Sequence, residues 1–290
     1  MKTKVIYLAD DDEDDRMFLR EAIENDISDV CLVEASNGKQ LINFLSDPSI
    51  VPGLDLIILD ISMPIMNGLE TLIWLKANEH LKYIPVVILS TSNDPYQVND
   101  AYAAGASAYL VKPVSMDGYS HITEVINACF VSRFPYSDRL TTDPVAIKSS
   151  SILIVEDNPF HANFIRNALI ETYPDINVIS LKDCETTLTF LNLQWNSIQP
   201  SPKMIIVDLY LPSRHDGLIL VDSIRNFFKS NNLLLVPVIV FSNSSLRDDI
   251  KASFDHSVNS YMVKPLELEK LTAYFKALVH YWLNIIKLPR

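Results

Sequence analysis

Glycine is scarce in this chain, with six in 290 residues. No GxGxxG run follows the first apolar segment, which excludes a dinucleotide-binding enzyme of the usual kind. Cysteine is scarcer still. Cys31, Cys129 and Cys184 are far apart, odd in number and form no CxxC pair. Neither a disulfide framework nor a thiolate metal site is indicated, and a reducing cytoplasm fits best. Positive charge is short as well: 24 Lys and Arg stand against 36 Asp and Glu, a formal charge of −12. That argues against a nucleic-acid or anionic-membrane surface, which needs clustered cations. Long apolar runs are missing. The segment behind Lys2 and Lys4 covers residues 5–9 and meets acids at once, too short for a signal peptide or a membrane span. The stretch 278–288 is broken by His280, Asn284 and Lys287 and reads as an amphipathic terminal helix. The six histidines follow no metal-ligand spacing. His161 reads as a residue in the first turn of a helix and His215 as a solvated loop residue, and neither has the surroundings of a phosphotransfer histidine.

Apolar residues are plentiful, at 48%, enough for two cores. The length predicts two ordinary domains. Apolar runs and helical spacing alternate along the chain. Strands are expected at 5–9, 30–35, 54–60, 85–89 and 108–111, with helices at 14–25, 39–45, 68–77, 95–104 and 116–130. Asp47-Pro48 closes the second helix, and Gly105 is suited to cap the fourth. Residues 135–149, with Pro144 and flanking serines, read as a linker. The cycle then restarts, with strands at 152–155, 177–181, 204–208, 238–241 and 261–263 and a last helix over about 267–286. Unbroken runs such as Leu56-Ile57-Ile58-Leu59 predict strands buried on both faces of a parallel sheet, with right-handed crossovers. The expected fold is α/β: two tandem doubly wound five-stranded parallel-sheet domains, at 1–134 and 150–290. Trp74 and Trp195 are expected to pack rather than to stack a ligand.

The halves are duplicates. Asp11 and Asp157 are 146 residues apart, Asp60 and Asp208 148, and both Ser90–Ser242 and Lys112–Lys264 152. Each half places acids after strand one (Asp10-Asp11; Glu156-Asp157) and an aspartate after strand three (Asp60; Asp208). A hydroxyl follows strand four (Ser90; Ser242) and Lys-Pro follows strand five (Lys112-Pro113; Lys264-Pro265). Strand ends of a parallel sheet open on one edge, so these groups should converge. Clustered carboxylates repel unless protonated or bridged by a cation, and all-oxygen ligands suit a hard divalent ion, Mg²⁺ first. A lysine and a hydroxyl beside them make sense where a phosphoryl group arrives, and a carboxylate can accept it as an acyl phosphate.

The order Asp10-Asp11, Asp60…Met63-Pro64…Gly68, Ser90, Lys112-Pro113 resembles the receiver domain of two-component response regulators. Glu156-Asp157, Asp208…Pro212…Gly217, Ser242, Lys264-Pro265 resembles it again. The resemblance implies a flavodoxin-like βα5 fold with Asp60 and Asp208 as phosphoacceptors. It implies Mg²⁺ held by Asp11, Asp157 and the acceptors, with Asp10 and Glu156 helping and the carbonyls of Ser62 and Tyr210 completing the shell. Ser90 and Ser242 would move toward the phosphoryl group, Lys112 and Lys264 would bind its oxygen, and Tyr109 and Tyr261 would be the aromatic switch. The Lys-Pro bonds are expected to be cis. A sensor histidine kinase or histidine phosphotransfer protein would donate, and an unidentified protein would receive the signal. The α4-β5-α5 face would serve partners or a homodimer, with no DNA-binding or further output segment. Phosphotransfer and autodephosphorylation would be self-catalysed, without conventional turnover.

Thr91 and Asn243 stand where the family has Ala or Gly, and Tyr210 is bulky enough to shield an acyl phosphate from water. An extra residue lies between Pro212 and Gly217. An aspartate-nucleophile phosphatase fits poorly, since Ser62 and Tyr210 occupy the place of its second acid. The alternative is a phosphorylation-independent scaffold. Asp12, Asp14 and Asp15 read as a solvated face.

Overall fold

The computed structural model describes residues 3–47, 53–133, 150–265 and 267–290, with the backbone alone for 268–270. The chain divides into two compact units, Met1–Arg133 and Phe134–Arg290. The linker expected at 135–149, and Pro48, lie outside the described residues.

The first unit runs β1 (Lys4–Ala9), α1 (Glu13–Asp26), β2 (Val30–Ala35), α2 (Gly38–Leu45), β3 (Leu54–Leu59), α3 (Gly68–Ala77), β4 (Val86–Ser90), α4 (Pro95–Ala103), β5 (Ala108–Val111) and α5 (Met116–Ile126). Its sheet is parallel throughout, in the order β2-β1-β3-β4-β5. Leu56, Ile57, Ile58 and Leu59 are fully buried, as a central strand covered on both faces requires. Register aligns the strand ends: Ala9 pairs with Ala35 and with Leu59, and Ser90 with Val111. Helix starts follow local chemistry. Asp12 caps α1 through the amides of Asp14 and Asp15, and Asn67 and Glu70 form a capping box on α3.

The second unit repeats this plan: β6 (Ser150–Val155), α6 (Pro159–Thr172), β7 (Ile176–Leu181), α7 (Cys184–Leu193), β8 (Pro202–Val207), α8 (Arg214–Ser230), β9 (Val238–Ser242), α9 (Arg247–Asp255), β10 (Ser260–Val263) and α10 (Leu268–His280). The order β10-β9-β8-β6-β7 is the same sheet read from its other edge. Trp195 packs as expected, its ring 5.0 Å from Phe228 and 6.4 Å from Phe190.

Two boundaries depart from the sequence reading. The final helix of each unit gives way to one π-helical turn, Asn127–Val131 and Tyr281–Ile285. The amides of Ser132 and Ile286 reach back five residues, each at 2.8 Å, and buried side chains such as Phe130 and Trp282 hold these turns in the core. The start of α8 is the second departure. Whereas α3 begins at Gly68, α8 begins at Arg214 with Ser213 as cap, so Gly217 lies one turn inside.

Candidate phosphoacceptor sites

In the first unit the backbone amides of strand-end residues tie the site to the sheet. Asp10 N bonds Ala35 O at 3.1 Å, Asp60 N bonds Ala9 O at 2.9 Å, and Lys112 N bonds Ser90 O at 2.8 Å. Asp10 and Asp60 are buried and Asp11 is exposed, and the three offer carboxylate oxygens within 4.8 Å of one another. Lys112 Nζ lies 2.7 Å from Asp10 and 3.2 Å from Asp60. The amide of Ser62 donates to Asp60 Oδ2 at 2.7 Å.

The second unit matches group for group. Glu156 N bonds Leu181 O, Asp208 N bonds Val155 O, and Lys264 N bonds Ser242 O. Glu156, Asp157 and Asp208 form the second carboxylate cluster. Lys264 Nζ lies 2.7 Å from both Glu156 and Asp208. The amide of Tyr210 faces Asp208 Oδ1 at 3.3 Å.

Burial pushes the Asp10 carboxyl up to about 6, against the opposing pull of Lys112. Burial raises Asp60 and Glu156 as well, with Lys112 and Lys264 acting against it. Burial alone would depress Lys112. Its bonds to Asp10 and Asp15 outweigh that, so the ammonium is held protonated. The clusters are thus oxygen-only, desolvated and short of positive charge, a donor set that fits a hard divalent cation.

The hydroxyls and aromatics fall beside these clusters. Ser90 and Ser242 are buried, each Oγ accepting the amide two residues on at 3.2 Å, from Ser92 and Ser244. Tyr109 and Tyr261 are fully buried and donate to the carbonyls of Ser92 at 3.0 Å and Ser244 at 2.8 Å. Burial raises both phenols, Tyr261 to about 12. Thr91 and Asn243 are exposed, and the Tyr210 hydroxyl is turned to Asp249 at 3.0 Å.

Three expectations are corrected. The cis peptide bonds among the described residues are Gln199–Pro200 and Leu211–Pro212, so both Lys-Pro bonds are trans, the form a prolyl bond ordinarily favours. Asp15 does not belong to a solvated face: its carboxylate accepts from Lys112 Nζ at 2.8 Å and from Tyr119 OH at 2.6 Å. Asp12 is the α1 cap. His215 is exposed but lies in the first turn of α8 rather than in a loop. His161 lies in the first turn of α6 beside the second site, its Nδ1 3.3 Å from Glu156 Oε1. Asp15 and His161 follow Asp11 and Asp157, the exposed aspartates of the two carboxylate clusters, by four residues, so the repeat could have marked them. Tyr119 follows no motif.

A protein-family model described as the response regulator receiver domain matches residues 6–124 and again 152–276. Among curated proteins, the chain is 33% identical over 138 residues to the "Probable methanogenesis regulatory protein FilR2" of Methanothrix harundinacea, covering 48% of this chain and 86% of that one. It is 30% identical over 139 residues to response regulator Rcp1 of Synechocystis, covering 48% and 92%. Among solved structures, the phosphorylated cyanobacterial phytochrome response regulator RcpA is 29% identical with a TM-score of 0.44, covering 49% of this chain and 100% of that one. With two matched segments, each one parallel five-stranded sheet with acids and a lysine at its strand ends, the chain belongs to the response regulator receiver family twice over.

Proposed function

We propose that the chain accepts phosphoryl groups on Asp60 and on Asp208 in two-component signalling. One observation carries this reading. In both units a strand-end aspartate sits between a carboxylate cluster and a buried lysine, at 3.2 Å in one and 2.7 Å in the other. The donor is a sensor histidine kinase or a histidine phosphotransfer protein. An Asp60 carboxylate oxygen forms the bond to phosphorus as the donor's P–N bond breaks, and the imidazole leaves. Lys112 moves from carboxylate to phosphoryl oxygen, and Ser90 closes on another. Lys264 and Ser242 do the same around Asp208.

Asp10, Asp11 and Asp60 with the Ser62 carbonyl, and Glu156, Asp157 and Asp208 with that of Tyr210, would hold Mg²⁺, whose charge would offset the negative charge gathered there. The chain's own groups accelerate the transfer and the later hydrolysis, and no other substrate is turned over. Tyr109 couples the first site to the face of α4, β5 and α5. There the downstream protein or a second copy docks, and Tyr96 on α4 is exposed. Among the described residues no helix is long and apolar enough to cross a membrane. The three free thiols suit the cytoplasm.

Intact mass after treatment with acetyl phosphate and Mg²⁺ tests this. Two phosphoryl groups are expected on the wild type, one on Asp60→Asn, one on Asp208→Asn and none on the double variant. A single group lost only with Asp60→Asn makes the second unit a binding module. No uptake, from acetyl phosphate or from a cognate kinase, replaces this reading with a scaffold.

A further inference from the structure

The helix α9 starts without a side-chain cap, because its cap position is Leu246. Its counterpart α4 is capped in the usual way, with Asp94 Oδ1 accepting the Tyr96 amide at 3.1 Å. The start of α9 is held across space instead. Asp249, in its first turn and 3% exposed, faces Arg214 Nε at 2.7 Å, accepts from Tyr210 OH at 3.0 Å, and accepts the Ser244 hydroxyl. Arg214 also donates to the Asp248 carbonyl at 2.8 Å. These partners come from three places: the loop after β8, the first residue of α8, and the loop after β9. Ser244 is the residue whose carbonyl receives the Tyr261 hydroxyl and whose amide meets Ser242 Oγ. A continuous chain of bonds therefore runs from Tyr261 through Ser244 and Asp249 to the loop that carries Asp208.

The first unit is the internal control. Gln97 stands at the position of Asp249, and its Oε1 is buried without a hydrogen-bond partner. Ser62 stands at the position of Tyr210. There the Tyr109 hydroxyl reaches the Ser92 carbonyl, and no carboxylate on α4 ties that loop to the one after β3 among the described residues.

We propose that Asp249 is a positioning residue that clasps α9 and the β9–α9 loop to the acceptor loop and holds Tyr261 inward whether or not Asp208 carries a phosphoryl group. The second unit then presents a constant surface while the first unit switches. Moving α9 away would strip a buried carboxylate of its donors, which is unfavourable. The contrast with the first unit rests on the phosphoacceptor reading, whereas the clasp does not.

Hydrogen–deuterium exchange on the full chain tests both, with and without beryllofluoride plus Mg²⁺ as the phosphoryl probe. The deciding comparison is free of the probe. Asp249→Gln, which installs the residue of the first unit, is expected to speed amide exchange over 242–255 about tenfold while leaving 150–181 unchanged. Tyr210→Phe removes one donor, keeps the ring, and is expected to give about threefold. Unchanged exchange in both variants overturns the clasp. With the probe, wild-type 242–255 is expected to stay within about twofold and to become responsive in Asp249→Gln. A wild-type response over 242–255 as large as that over 90–103 also overturns the proposal. Silence over 90–103 in the wild type counts against phosphorylation of Asp60 and leaves the probe-free comparison to decide the clasp.

Discussion

Asp15 lies 2.8 Å from the Lys112 ammonium, a contact with no counterpart in the second unit, where His161 holds that position and faces Glu156 instead. Lys112 is therefore shared among three acids and stands 3.2 Å from Asp60, whereas Lys264 is shared between two and stands 2.7 Å from Asp208. The duplicated sites have diverged in how closely each lysine engages its strand-end aspartate.

Asp15→Ala is expected to destabilise the first unit by about 1.5–3 kcal/mol, the range for a hydrogen bond to a charged group. Burial works against the Asp15 carboxylate, but Lys112 and Tyr119 outweigh it and set its titration below the ordinary value. A depressed folded value means that the contribution is present above about pH 4 and lost as pH falls through the folded value. Urea unfolding at pH 7 and at pH 3 measures the difference, and an equal effect at both would refute the assignment.

Asp10 has the opposite sign. Its carboxyl is raised from 3.8 to about 6, so the folded chain binds more protons than the unfolded one between those values. Stability of the metal-free protein should fall as pH rises through that window, by about 3 kcal/mol for a shift of about two units. Asp10→Asn should flatten this decline and stabilise the metal-free protein at pH 7.5 while weakening its response to Mg²⁺. Thermal unfolding in EDTA and in Mg²⁺ at several pH values reads both effects.

Gly68 packs against the end of β3 so closely that an added Cβ would meet the Asp60 carbonyl oxygen at 2.0 Å, and at Gly217 it would meet that of Leu209 at the same distance. Backbone on one side and a helix start on the other leave no room to relax. Gly68→Ala is expected to lower phosphoryl uptake at Asp60 at least tenfold and leave Asp208 unaffected, and Gly217→Ala the reverse. Peptide mapping of the phosphorylated residues distinguishes these outcomes.

Ile65 sits in the loop between β3 and α3 with φ of 69° and its side chain 82% exposed. A β-branched residue in the left-handed region is strained by about 1–2 kcal/mol, and little packing opposes its replacement. Ile65→Asn should therefore raise stability by about 1 kcal/mol and Tm by a few degrees. A lower Tm in calorimetry would show that Ile65 makes a compensating contact.

The sequence by itself determined the two sheets, the order of their elements and the pairs Asp60–Lys112 and Asp208–Lys264. Strands buried on both faces leave unbroken apolar runs, and groups at the ends of parallel strands must share one edge. A proline four residues after each strand-end aspartate, with a glycine beyond it, marked where those edges lie. Only the tertiary structure decided which other side chains reach the sites. Tyr119 and Asp15 are 104 residues apart, and Asp249 and Tyr210 are 39 apart. Their meeting depends on how α1 lies against α5 and how α9 lies beside the loop after β8. It depends also on α8 starting at Arg214, whose Nε faces Asp249 at 2.7 Å. Such contacts join elements through side-chain reach across packed helices, and no period or spacing along the chain encodes that distance.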